Sequence, residues 1–480
     1  MSIPPSALPR YLRSPGDEGY RTPTIEDVEG NSTGSFPFPP ATTTLPVMVA
    51  RSRLSIVQSN GTQSTKDVDF ESNGTRSYPL SRCRRSESWP LKLPWRERIR
   101  HFTWAFFTLT MATGGLANVL YCIPYRFRGL DTIGIVVFLL NIAIYLILWA
   151  LMALRFYLYP YTFKASFLHP TESLFAPAVI VSFGTILINI AQYGPPRNGV
   201  WLDHATEVLF WFDAALSIAA SAGVYLLLWS TQTFTISQMT PIWIFPAYPL
   251  LIVGPHAAIL SGNLSQSQAL RIIIGGTTIQ GIGFLVSLTV YSAFIYRLMT
   301  QKLPKENLRP GMFVSVGPSA FTVASMVGMG MSAERAFAPD FMGDGVLAAK
   351  VMRITSNFAA LWLWGLAIFF FIIAVFANFS AVTRGKMLFS MAWYSFVFPN
   401  TALVTATFAI GKAFASPEIE IAGCVMTIIL FLTYFFVTGM MVRAIRLHHI
   451  LWPQKGEDKD EGGFRIKEIT PEAPTPLVND

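Results

Sequence analysis

The sequence predicts an all-α membrane protein: ten transmembrane helices as five helical hairpins, the odd helices forming an inner ring around a central pore. Three observations predict it. Hydrophobic residue types make up 52% of the 480 residues and charged types 13%, about half the charged share of a soluble protein. Ten apolar runs each approach or exceed the roughly 20 residues a helix needs to cross a bilayer. Proline falls in alternate runs.

The runs lie at about 101–122, 132–154, 172–193, 206–229, 241–262, 269–299, 311–332, 354–379, 388–411 and 418–442. They form a transport domain over 95–452, between polar tails at 1–94 and 453–480. The tails are expected to be disordered, because such segments bury too little apolar surface to offset the entropy of ordering. No cleavable signal peptide is visible, so the first span is expected to target the chain. Arg85 stands three residues before Ser88, a spacing that suits a basic-directed kinase. A chance match in a Ser-rich tail reads equally well.

An even number of crossings places both tails on one side, and Lys and Arg choose that side. With tails inside, the inner loops hold Arg155, Lys164, Arg297, Lys302, Lys305, Arg309, Arg384 and Lys386. The outer loops hold Arg126, Arg128, Arg197, Arg271, Arg335, Lys350, Arg353 and Lys412, so the loops balance. The flanks do not: Arg96, Arg98 and Arg100 precede the first span, and Arg443 and Arg446 follow the last. Both tails are therefore expected in the cytoplasm, with the sequons at Asn31, Asn60 and Asn73 unglycosylated. The net charge of +8 reads as a basic flank against lipid headgroups, not as a nucleic-acid patch. The basic outer loops suit an anion entrance, with Arg335 and Arg353 foremost.

The even spans contain no proline. Four odd spans do: Pro177 in the third, Pro246, Pro249 and Pro255 in the fifth, Pro318 in the seventh and Pro399 in the ninth. The first has Gly114-Gly115 instead. Proline inside a helix frees a carbonyl, which in lipid must be covered by protein or face a water-filled cavity. Broken helices therefore belong inside.

Polar stripes accompany the breaks at helical spacing. They are Thr110, Gly114 and Asn118; Ser182, Thr185, Asn189 and Gln192; Ser315, Ser319, Thr322 and Ser325; and Phe398, Thr401, Thr405, Phe408 and Lys412. One such stripe alone reads as close helix packing; four on broken helices read as a pathway. Charge inside the spans is sparse, and Asp213 on the fourth and His256 on the fifth are the clearest cases. His256 is a candidate to meet an anion or a proton, or to be a structural histidine; Asp213 is expected to make a structural hydrogen bond. The candidate pathway is thus Thr110, Asn118, Ser182, Thr185, Asn189, His256, Ser315, Ser319, Thr401 and Thr405.

Cys83, Cys122 and Cys424 are far apart and form no metal motif. No GxSxG, HExxH or Walker A motif occurs. The chain is expected to be no enzyme, to hold no cofactor or metal, and not to use ATP itself.

Several stretches resemble the fungal malic acid transport proteins, within the tellurite-resistance/dicarboxylate transporter family. They include Phe102-Thr103-Trp104-Ala105 with Met111-Ala112-Thr113-Gly114-Gly115, and Arg155-Phe156-Tyr157 with His169-Pro170-Thr171-Glu172-Ser173. Met239-Thr240-Pro241-Ile242-Trp243 through Gly254-Pro255-His256, and Arg309-Pro310-Gly311-Met312-Phe313 through Gly317-Pro318, continue the likeness. That family resembles the plant slow anion channels and the yeast sulfite efflux pumps. The resemblance implies five hairpins around a pore, a homotrimer with one pore per subunit, and a phenylalanine that occludes the pore on the ninth span. Phe398 matches that position best, with Phe396 as the alternative. The first span here lacks a proline. The expected function is transport of C4-dicarboxylates such as malate across the plasma membrane, with protons as a candidate coupling ion. A sulfite or other inorganic anion exporter is the alternative of the same fold, and a receptor or scaffold the alternative of another class.

Overall fold

A computed structural model describes residues 93–194, 200–233, 235–236, 239–382 and 387–453. Residues 1–92 and 454–480, with Arg85, Ser88 and the three sequons, lie outside the described residues, as do Arg197, Arg384 and Lys386. The described residues form helices joined by short turns and contain no strand.

Ten helices dominate. We label them α1 (Trp104–Cys122), α2 (Leu130–Leu158), α3 (Glu172–Tyr193), α4 (Val200–Thr231), α5 (Pro241–Leu260), α6 (Gln266–Gln301), α7 (Glu306–Ala336), α8 (Gly345–Val382), α9 (Phe398–Ala413) and α10 (Pro417–Arg446). Among the described residues, nine of them are long and apolar enough to cross a membrane, and α9 is the exception. The chain is a multi-pass membrane protein. Where ten full spans are expected, the stretch 388–411 divides instead. A 3₁₀ turn, Met391–Phe396, meets the 16-residue α9 at Val397 (φ −110°, ψ −65°). Pro399 sits in the first turn of α9, where its missing N–H costs nothing.

The same device recurs. Helices α1, α5 and α7 also begin in 3₁₀ turns, at Trp104–Phe106, Pro241–Ala247 and Glu306–Val316. Pro249 and Pro318 then start the regular helix, and Pro177 caps the regular part of α3. The breaks therefore stand at the starts of these helices, with Pro255 the one proline among these that lies well inside a regular helix.

Helices α1, α3, α5 and α7 are 78–83% buried over their apolar windows, while α2, α4, α6, α8 and α10 are 22–39% buried. All of Phe398–Phe408 in α9 is buried too. Leu146, Leu226, Leu285, Trp362 and Phe435 on the even helices face outward, as lipid-facing side chains do. Each odd helix packs on the even helix that follows it. The odd helices also pack in succession: α1 on α3, α3 on α5, α5 on α7, α7 on α9, and α9 on α1.

Both ends of the helical unit meet. Arg98, in the short helix Trp95–Arg100, donates to the Ile445 carbonyl near the end of α10 at 3.2 Å. Arg100 lies over the rings of Tyr159 and Tyr161, just past α2. A buried, two-pronged ion pair, Arg155 to Glu172 at 2.5 and 3.3 Å, ties the end of α2 to the start of α3.

Candidate functional site

Glycine sets how closely the buried helices approach. Helix α1 runs unbroken through Gly114-Gly115, so the expected break is absent there. A Cβ on Gly115 would come within 2.5 Å of the Thr401 hydroxyl, and one on Gly114 within 2.6 Å of the Thr185 hydroxyl. These glycines seat α9 and α3 against α1.

Four carbonyls at the breaks are taken by hydroxyls of neighbouring helices. Pro318 cannot donate to the Val314 carbonyl, and the Tyr248 hydroxyl does so instead at 2.6 Å. Tyr291 donates to Ser315 O at 2.6 Å, Tyr225 to Trp243 O at 3.0 Å, and Ser221 to Pro246 O at 2.6 Å. Hydroxyls from neighbouring helices thus do what water would otherwise have to do.

A cavity of about 540 Å³ opens between α1, α5, α7 and α9, toward their C-terminal ends. Asn118, Cys122, Pro255, Ala258, Thr405 and Phe408 line it, with Phe321, Ala324, Gly328 and Met331 as its α7 wall. Arg126, Lys412 and Glu420 also line it. Arg126 pairs with Asp131; exposed Lys412 makes no ion pair among the described residues. A second cavity of only about 10 Å³ is lined by Thr108, Met111, Phe245, Tyr394 and Phe398. Between the two stand Phe321 and Phe398, their ring centroids 5.4 Å apart. Tyr248 braces Phe398 from α5 at 5.9 Å. Phe396 points elsewhere, into a side groove with Phe371, Met426 and Ile429. Of the two phenylalanines, Phe398 is the one among the inner helices.

The expected pathway residues divide. Asn118 and Thr405 line the large cavity. Thr110, Ser182, Thr185 and Asn189 do not: Thr110 bonds Ser182 at 2.8 Å and Asn189 donates to Gly114 O at 3.0 Å, so this stripe joins α3 to α1. Thr401 fills the Gly115 notch. Ser315 and Ser319 are buried near the start of the regular part of α7, outside the cavity wall. The polar side of α7 turns to α6, where Gln280 donates to Thr322 at 2.8 Å. Arg335 and Arg353 are not at the cavity; Arg335 holds the carbonyls of Ser261 and Gly262, and Arg353 pairs with Glu334 at 2.8 Å. Asp213, expected to make a structural hydrogen bond, makes none among the described residues, and neither does His256. The apolar cavity wall of α7 was missed, although Phe321, Ala324, Gly328 and Met331 fall at steps of three, four and three.

Residues 101–442 match the family model described as voltage-dependent anion channel, SLAC1. The chain belongs to this family. Its relatives include a malic acid transport protein of Schizosaccharomyces pombe, 31% identical over 76% of this chain and 83% of that protein. A sulfite efflux pump of Trichophyton rubrum is 28% identical over 72% of this chain and 91% of the pump. An uncharacterized transporter of Methanocaldococcus jannaschii is 21% identical over 68% and 89% respectively. The family resemblance read from the sequence agrees with these matches.

Proposed function

We propose that this protein transports C4-dicarboxylates such as malate across the plasma membrane, through a central pore closed by Phe398. The observation that carries the proposal is the pair of cavities separated by the Phe321–Phe398 contact, among five helices that pack in a closed succession. A volume of about 540 Å³ lies within the range of small-molecule sites. Asn118, Arg126 and Lys412 offer donors and positive charge there. Similarity to a malic acid transport protein supports the dicarboxylate.

Ten crossings as five hairpins suit the same geometry. The Arg98–Ile445 contact brings both ends of the helical unit to one face, as an even number of crossings requires. Six residues of 3₁₀ turn rise ~12 Å, and the 16 residues of α9 rise ~24 Å. Their sum, ~36 Å, exceeds the ~30 Å of a hydrocarbon core, so Met391–Ala413 can serve as the tenth crossing. The basic flanks favour cytoplasmic tails, and the family resemblance favours a homotrimer.

The second reading is a sulfite or other inorganic anion exporter, supported by the sulfite pump relative and by the narrow apolar constriction at Phe398. Uptake of labelled malate and of labelled sulfite into vesicles holding the purified protein, at two pH values, separates the readings. Malate uptake that unlabelled sulfite does not displace is expected. Sulfite uptake without malate uptake would select the exporter.

A further inference from the structure

Three groups at the interface of α4 with α3 and α5 have no hydrogen-bond partner among the described residues. They are both carboxyl oxygens of Asp213, the hydroxyl of Ser217 one turn on, and both ring nitrogens of His256. All three residues are fully buried. Asp213 lies against Gly184 of α3, where a Cβ would stand 3.3 Å from its Oδ2 and closer still to Ile252 of α5. One turn along α5 from Ile252, the His256 ring meets Phe210 of α4 edge-on at 5.2 Å. Phe210 and Asp213 are themselves one turn apart, so acid and imidazole sit on facing helices at neighbouring levels.

Few other titratable groups face this site. From α2 comes Tyr145, whose hydroxyl is engaged with the Val179 carbonyl at 3.4 Å. From α5 comes His256. The regular part of α3, Ala178–Tyr193, carries no charged residue, and its Tyr193 donates to the Ala117 carbonyl. The 3₁₀ turn Pro241–Ala247 has no titratable side chain. The ion pairs Arg155–Glu172 and Glu207–Arg271 stand at opposite ends of the helices around α4. A carboxylate with neither a hydrogen bond nor a counter-charge is not sustained in so dry a setting; the group takes up a neutralising partner. Asp213 and Ser217 supply three oxygens, too few to replace the hydration shell of a metal cation. A proton needs only one.

We propose that Asp213, with His256 one level away on the neighbouring helix α5, is a proton-binding site set beside the anion pathway. Binding forms one O–H bond on the carboxyl, with the proton drawn from hydronium and nothing oxidised or reduced. Helix α5 is common to both sites, because Pro255, next to His256, lines the 540 Å³ cavity. The site couples anion passage to a proton; that coupling, though not the site itself, rests on the function proposed above.

The test uses the full chain in lipid vesicles. At neutral pH the infrared spectrum should show a protonated carboxyl band that Asp213→Asn removes. A hydrophobic carbodiimide, which reacts with protonated acids from the lipid phase, should label Asp213 in the wild-type protein, and labelling should fall as pH rises. This second measurement needs no variant to fold. An internal pH indicator should record proton uptake with malate in the wild type. Asp213→Asn should lose that uptake while still passing malate down its gradient. A carboxyl band untouched by Asp213→Asn, absent carbodiimide labelling, or a band that disappears on adding sodium would each overturn the proton site. Failure of every protein to move malate or sulfite would sink the anion reading, whereas the infrared and labelling results would still judge the site.

Discussion

Helices α3 and α10 are almost equally apolar, yet over its most apolar stretch one is 78% buried inside the protein and the other 28%. Hydropathy finds a membrane helix without saying which side of it meets lipid. What separates the two classes is local chemistry. The buried helices begin in proline- or 3₁₀-broken turns, carry hydroxyls and glycines, and have their freed carbonyls taken by neighbours. The exposed helices run as uninterrupted α-helix between their ends and turn a mainly apolar coat outward.

The sharpest way to break this comparison is to exchange a glycine of each class. Gly115→Val would drive a branched side chain into Thr401, whose hydroxyl already lies 2.5 Å from the Cβ position. The variant should fail to yield folded protein on size-exclusion chromatography. Gly365→Val on α8, with nothing within 4 Å of its Cβ position, should elute like the wild type. Equal behaviour would remove the distinction.

Charge offers the next contrast. Arg155→Ala removes the buried cationic partner of Glu172, at a cost of about 3–5 kcal/mol. Arg353→Ala disrupts an exposed pair with Glu334 and should cost less than about 1 kcal/mol. Thermal unfolding in detergent, run side by side, should separate the two clearly.

Labelling then asks which face of the buried helices is wet. Cysteine at Ala324 or Met331, both on the cavity wall, should react rapidly with a water-soluble thiol reagent, and malate should slow it. Cysteine at Ser182, committed to Thr110 and the Phe107 carbonyl, should stay unreactive. The opposite pattern would restore the polar stripe of α3 as the pathway. Smaller still is the effect expected of Lys412→Gln at the cavity mouth. The apparent KM for malate should rise more than the maximal rate falls, and the difference should shrink with salt as screening grows. Arg335→Gln, away from the cavity, should change neither.

Membrane location, the helical class and the family were legible in the sequence, because long apolar runs, alternating prolines and motifs such as Arg309-Pro310-Gly311 are local signals. The wall of the cavity was not. Ser182, Thr185 and Asn189 were read as facing a pore, but in hydrocarbon a polar side chain gains as much by joining two helices, and sequence alone does not tell these uses apart. The α7 wall of Phe321, Ala324, Gly328 and Met331 was hidden for the converse reason: a largely apolar cavity looks like packing. Asp213 carried a visible charge, but its lack of any partner emerges only once α3, α4 and α5 are assembled. Phe398 was placed by resemblance and helical phase, and its ring contacts with Phe321 and Tyr248 favour it over Phe396 as the residue between the cavities.

The central claim is that Phe398 closes an anion pathway between those cavities. Anion current through purified Phe398→Ala protein in planar bilayers tests it most directly, with Phe396→Ala alongside and the abundance and thermal stability of both measured. Truncating a packed phenylalanine ordinarily costs about 3–5 kcal/mol, so a purely structural ring would lower stability and current together. The account predicts the reverse for Phe398→Ala: folded protein with current above wild type, while Phe396→Ala stays near or below it. Lower current from Phe398→Ala protein of normal abundance and stability would contradict the account.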